Sequence, residues 1–317
     1  QLAKYLRVTP EEILITRNTS ESNNWVSNGL DLRADDEVVI FSDNHPSNNE
    51  AWKERGKRFG FTVNEVPPLN PHPGFDYYLE EFEKALTPRT RVLAFTHLSN
   101  TVGDLFPAKE LCSMAREKGI ITLIDGAQSL GLLDVDLSDI QPDFYSGSAH
   151  KWPCGPKETG VLYVNKDTRK RFWPSIYSAY KGRQGMAQTH EGLGQRDTPA
   201  IHAFGQQIEF LRKVGQKKIE ERSGNLATQI IEELQKTKGV YIYTSNERAL
   251  RSAVVTFRPA NLEPTKVVKA LEEDGIVAAN LGGKDWAGVR FSPHFYNSNS
   301  DVEKAVAAIR RYLRKGL

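Results

Sequence analysis

The strongest constraint on this chain is a repeating change of hydrophobic period. Over the first two-thirds, short apolar or β-branched runs fall at 13–16, 38–42, 61–66, 92–96, 120–124 and 144–146. Between most of them lie stretches whose apolar residues recur at helical spacing, such as 48–59, 75–86 and 108–118. Near-continuous apolar strands that alternate with helices predict an α/β fold with a mostly parallel sheet covered on both faces. Helix starts are marked by Asn18-Thr19-Ser20-Glu21 and by Phe106-Pro107. The run Gly160–Val164 follows a Gly/Pro-rich loop and is expected to be an antiparallel member of the sheet.

From Pro199 to about Lys236 the period is helical, interrupted by Gly205, Gly215 and Gly224. A second, shorter set of strand and helix signals follows at 240–244, 253–257, 266–273, 276–279 and 289–292, closed by a basic helix over 301–314. The 317 residues therefore divide into a large α/β domain over 1–210, a connecting helix over 211–235 and a small C-terminal α/β domain over 236–317. The opening Gln1-Leu2-Ala3-Lys4-Tyr5-Leu6 reads as the tail of an amphipathic helix with no Met before it, so a further N-terminal segment is expected.

Charge narrows the functional classes. Against 42 basic residues stand 40 acidic ones, a formal charge of +2, which leaves no single-sign field for nucleic acid or an anionic membrane. Apolar runs are strand-sized, too short to span a bilayer. The two cysteines, Cys112 and Cys154, provide neither a disulfide framework nor metal-ligand spacing. Cys112 sits in a helical pattern where a buried structural thiol is expected. No Gly-x-Gly-x-x-Gly follows a strand, which removes a dinucleotide-binding reading.

Four segments carry chemistry, each at the C-terminal end of an expected strand, where open parallel sheets collect ligands. Arg17-Asn18-Thr19-Ser20-Glu21 opens a helix with hydroxyl residues and free N–H groups, a setting suited to phosphate, although each residue alone reads as an ordinary cap. In Thr96-His97-Leu98-Ser99-Asn100 an imidazole is available to stack on a flat ring and Asn100 to bond a ring substituent. Ile124-Asp125-Gly126-Ala127-Gln128 puts a carboxylate at the sheet edge with no neighbouring acid or His at metal-ligand spacing. In Ser146-Gly147-Ser148-Ala149-His150-Lys151-Trp152 a lysine stands in partly apolar company, which favours the neutral, nucleophilic amine needed for a Schiff base. Pyridoxal 5'-phosphate (PLP) needs an amine for its aldehyde, an anion for its ring nitrogen, a phosphate cradle and a group over the ring. The sequence offers one candidate for each.

The segments Thr96–Asn100, Asp125–Gln128 and Ser148–Lys151 resemble the class V aminotransferases of PLP fold type I, a family that includes cysteine desulfurases, kynureninase and isopenicillin N epimerase. The resemblance implies a PLP-dependent enzyme with Lys151 as the Schiff-base lysine, Asp125 paired with the ring nitrogen, His97 stacked on the ring and Gln128 at its oxygen. It also implies phosphate contacts from Thr19, Ser20, Ser148 and His150, and an Arg290 that receives a substrate carboxylate. Gly194-Gln195-Arg196-Asp197 resembles an element of the isopenicillin-N-epimerase-like branch that completes a partner subunit's site. A homodimer with shared sites is thus implied, with Gln195 where the branch has threonine.

One departure limits the transfer. Cysteine desulfurases carry a nucleophilic cysteine shortly before the carboxylate-binding arginine, and the stretch 280–286 has none. The expected function is reaction at Cα of an amino acid or a peptide-borne glutamate. Within the branch, the overall likeness extends to periplasmic PLP enzymes that tailor the glutamate of pyoverdine siderophores in pseudomonads, which implies a periplasmic location; the alternative is cytoplasmic. Amino-acid epimerisation, C–S lysis and a non-catalytic PLP-fold binding module are the alternative functions.

Overall fold

The N-terminal sequence pattern builds one seven-stranded sheet. The computed structural model describes residues 1–181, 184–282 and 286–317. The strands are β1 (Ile13–Thr16), β2 (Glu37–Phe41), β3 (Thr62–Val66), β4 (Thr90–Thr96), β5 (Ile121–Asp125), β6 (Phe144–Ser148) and β7 (Gly160–Val164). Their order is β1-β7-β6-β5-β4-β2-β3. Pairing is parallel from β3 through β6, and β7 runs antiparallel to both β6 and β1. It follows that β1 points the same way as the parallel strands, so six C-terminal strand ends share one edge. Every residue of β1, β2, β5, β6 and β7 is buried, as strands covered on both faces require.

Among the described residues, eight α-helices connect and cover these strands: α1 (Leu2–Leu6), α2 (Thr19–Gly29), α3 (Pro46–Phe59), α4 (Phe75–Ala85), α5 (Ala108–Glu117), α6 (Leu137–Ile140), α7 (Ala187–His190) and α8 (Thr198–Val214). Trp25 and Val26 of α2 and Trp52 of α3 bury their side chains in one cluster with Val38, Ile40, Val92, Leu123 and Phe144. A buried aliphatic or aromatic side chain of this kind contributes about 1.5–3 kcal/mol, so the amphipathic faces hold the helices on the sheet. The Asn18 side chain caps α2 by accepting from the Glu21 N–H at 2.9 Å, an interaction worth about 1 kcal/mol.

A second sheet, entirely antiparallel, has the order β10-β11-β9-β8, with β8 (Val240–Ile242), β9 (Val255–Pro259), β10 (Ala279–Leu281) and β11 (Gly288–Phe291). Leu226, Ile230 and Leu234 of α9 (Gln216–Gln235), Val267 and Leu271 of α10 (Pro264–Glu273) and Val302, Val306 and Ile309 of α11 (Asn299–Lys315) share its core with Val255, Phe257, Val289 and Phe291.

The division of the chain differs from the expected 1–210, 211–235 and 236–317. One compact unit comprises residues 1–68, 75–97 and 106–216, the other 69–74, 98–105 and 217–317. Two short segments of the N-terminal half thus belong with the C-terminal unit, joined by contacts such as the Asn70 side-chain amide to the Tyr243 carbonyl at 2.6 Å. The helical run over 199–236 is two helices, broken where Gly215 takes φ 99°, a conformation costly for any side chain. The strand expected at 276–279 begins only at Ala279, because the Ile276 N–H is used to close α10 onto the Leu271 carbonyl. Among the described residues no helix is long and apolar enough to cross a membrane.

Candidate active site

The edge shared by the strand ends gathers most of the singled-out residues. Asp125, the last residue of β5, is 2% exposed. Its Oδ1 accepts from the Ala127 N–H at 3.0 Å and its Oδ2 from the Asn23 side-chain amide at 2.9 Å. Asn23 is oriented in turn, since its Oδ1 accepts from the Ser146 hydroxyl at 2.7 Å. With its oxygen taken, the carboxamide has only N–H to offer the carboxylate. Both donors are neutral, so they fix the carboxylate without cancelling its charge. A buried anion held this way is suited to a cationic ring N–H.

Lys151 lies three residues beyond the end of β6, in a turn closed by the Cys154 N–H on the Lys151 carbonyl at 3.0 Å. Its charge is felt by an imidazole that the sequence reading passed over. His45 caps α3 just after β2, its Nδ1 accepting from the Ser47 N–H at 3.2 Å. The His45 imidazole is held below its ordinary range first by burial, then by the Lys151 ammonium, while Asp125 pulls it upward. It therefore lies within electrostatic reach of both groups. His97 is different: its ring is buried, its Nδ1 has no partner, and burial alone lowers it to about 4. Its backbone N–H is bound to the Asp125 carbonyl at 3.0 Å.

Hydroxyls cluster at the start of α2. The Thr19 N–H reaches the Ser148 Oγ at 2.8 Å and the two side-chain hydroxyls are 2.7 Å apart. Ser20 donates to Ser47 at 2.9 Å, and Ser47 Oγ lies 2.8 Å from His45 Nδ1. This approach needs Gly160, where an added Cβ would sit 2.7 Å from the Gly147 oxygen and 2.9 Å from the Asn18 Cα. A helix N-terminus ringed by hydroxyls has the donor set of a phosphate site. His150 is exposed and, among the described residues, makes no hydrogen bond to this cluster; its imidazole is lowered by partial burial, then by Lys151 and Lys157.

Gln128 is half-buried, and its Oε1 accepts from the Trp152 indole at 2.7 Å. Gln195 is exposed and sits beside a clamp on the outer edge of β1. In that clamp Glu191 Oε1 takes the Ile15 N–H at 2.6 Å and Arg196 Nη1 reaches the Ile15 carbonyl at 2.8 Å.

Arg290 and Asn100 belong to the second compact unit, where the Arg290 guanidinium donates to the Asn100 carbonyl. Burial lowers the guanidinium, its Nε has no partner, and no acid among the described residues pairs with it, which leaves it disposed toward an incoming carboxylate.

The donor set fits PLP: a buried acid, an amine, an imidazole within electrostatic reach of both and a hydroxyl-lined helix start. A thiol nucleophile is lacking. Cys112 is buried and its thiol pushed up to about 12, and Cys154 is raised as well. In the cysteine-free stretch 280–286, residues Gly283, Lys284 and Asp285 lie outside the described residues. No group of three or more His, Cys, Asp or Glu among the described residues is arranged to hold a metal.

Comparison with known proteins gives a consistent result. The aminotransferase class-V family profile matches residues 1–305. Isopenicillin N epimerase from Amycolatopsis lactamdurans is 28% identical over 98% of this chain and 83% of its own length. A probable cysteine desulfurase from Halalkalibacterium halodurans is 29% identical over 95% of this chain and 77% of its own. The structure of apo cysteine desulfurase from Thermococcus onnurineus superposes with a TM-score of 0.90 at 26% identity, covering 100% of this chain and 82% of that one. The mostly parallel sheet is that of PLP fold type I, and the chain belongs to the class-V aminotransferase family of PLP-dependent enzymes.

Proposed function

We propose that this enzyme acts at Cα of an amino acid, free or as a glutamate carried on a peptide, by moving the Cα proton. The observation that carries the reading is the fixed, buried Asp125, with His45 within electrostatic reach of both that acid and Lys151. When bound, PLP withdraws electrons from the Cα–H bond. Lys151 would hold the cofactor through its amine, and Asp125 would keep the ring nitrogen protonated, its charge strengthened by exclusion of water. Thr19, Ser20 and Ser148 would bind the phosphate, Gln128 the ring oxygen, and His97 would stack on the ring, with His45 a second imidazole nearby. Arg290 would take the substrate carboxylate. When not engaged with the cofactor, the Lys151 Nζ would be the base for the Cα proton.

Returning that proton to Cα epimerises the substrate; delivering it elsewhere transaminates. Persulfide formation is disfavoured, because Cys112 is buried and the exposed Cys154 follows Lys151 instead of preceding Arg290. C–S lysis needs no protein thiol and is the second reading. The working unit is a homodimer: Trp173, Tyr177 and Tyr180 are 60%, 72% and 66% exposed within eight residues, a patch suited to a second copy.

Exchange of the Cα proton in deuterium oxide, followed by NMR across amino acids and glutamyl peptides, tests the reading. Pyruvate release from cystine identifies the lyase, and a mass change in a glutamate-bearing siderophore precursor identifies the tailoring reaction. Lys151→Ala should abolish both turnover and the visible band of the bound cofactor. A K151A protein with an undiminished band would refute the assignment of that residue.

A further inference from the structure

We propose that Trp152 is a positioning residue that locks the Gln128 carboxamide in one of its two flips and so dictates which end of the amide meets the cofactor. The inference rests on the PLP reading above and deepens it. An indole N–H can only donate, whereas a carboxamide has an accepting end and a donating end. The Trp152 Nε1 to Gln128 Oε1 distance of 2.7 Å therefore assigns the amide oxygen to the indole side. The Gln128 NH2 is left facing away with both hydrogens to give. Trp152 is 5% exposed, so its N–H has little access to water as a substitute acceptor. Because Trp152 follows Lys151 directly, the residue that holds the aldehyde carbon and the lock on the ring-oxygen contact are consecutive in the chain.

The consequence is electrostatic. A flipped amide would set its carbonyl against an oxygen that carries negative charge, whereas the locked amide donates to it. Donation to that oxygen lowers the proton affinity of the lysine–cofactor linkage, so the lock keeps the midpoint of the cofactor's absorption titration low.

The test is a spectroscopic pH titration of holoenzyme for the wild type, Trp152→Phe, Gln128→Met and the double variant, with circular dichroism to verify folding. Loss of one neutral hydrogen bond predicts that W152F moves the midpoint upward by about half a unit to one unit. Q128M should move it similarly. Gln128 is half-buried, so that variant keeps the test open even if W152F folds poorly. In the double variant the shifts should not add, because Trp152 acts only through Gln128. An unchanged W152F midpoint, or the same W152F shift in the Q128M background, would overturn the lock and leave the PLP reading intact. A wild type with no visible band would overturn the PLP reading and the lock with it.

Discussion

Asn23→Ala probes the support of the buried acid without touching the acid itself. The substitution deletes the 2.9 Å donation to Asp125 Oδ2 and leaves the Ser146 hydroxyl only the Ile124 carbonyl at 3.4 Å. A hydrogen bond to a charged group contributes about 1.5–3 kcal/mol, and Asp125 at 2% exposure has little solvent to replace it. If that energy serves to hold the carboxylate against the ring nitrogen in the transition state, kcat falls by about 10- to 150-fold at roughly 1.4 kcal/mol per decade. Ser146→Ala removes a neutral bond one step further out, worth about 0.5–1.5 kcal/mol, so its loss should be only about two- to tenfold. The assay is kcat at saturating substrate on PLP-loaded protein, with cofactor content measured in parallel. The ranking matters more than either value. Wild-type kcat in N23A, or a larger loss in S146A than in N23A, would refute the idea that Asn23 acts by holding Asp125.

Three further outcomes follow from the same coordinates. His97, lowered to about 4 by burial, is neutral when folded, while the unfolded chain takes up a proton below about 6.5. Stability should therefore fall as pH drops through the window from 6.5 toward 4, by about 2 kcal/mol at pH 5; urea unfolding of His97→Phe should show a shallower pH dependence than the wild type, and an identical one would contradict its buried neutral state. Arg290→Lys should raise KM for carboxylate substrates about tenfold or more, since an ammonium cannot reproduce a two-point grip; an unchanged KM would remove Arg290 from the site. Sedimentation should show a dimer that Tyr177→Ser weakens, and a monomeric wild type would exclude shared sites.

The sequence singles out Asp125 because β5 reads as an apolar run that ends in an acid, and Lys151 because it stands between His150 and Trp152 in partly apolar company. His45 was hidden by the same logic, because Ser42-Asp43-Asn44-His45-Pro46 reads as a turn leading into an N1 proline. Asn23 escaped notice, and Ser146 had no role assigned within its segment, because their partners are 102 and 123 residues away, and local periodicity carries no record of such pairs. Assignment of 69–74 and 98–105 to the second unit failed likewise, since it depends on pairings such as Leu105 N–H with the Leu250 carbonyl. The connecting helix expected over 211–235 begins only at Gln216, because three glycines interrupt the helical pattern and the sequence does not announce which of them breaks it.

The side chains that close β1 have a consequence beyond fixing one strand. An outermost strand normally advertises a row of unsatisfied amides, an invitation for any extended peptide to zip alongside. Here Glu191 impersonates the missing neighbour's carbonyl and Arg196 its amide, both on Ile15. That flank of the molecule is therefore poorly disposed to recruit stray chains, a resistance that rests on two charged side chains.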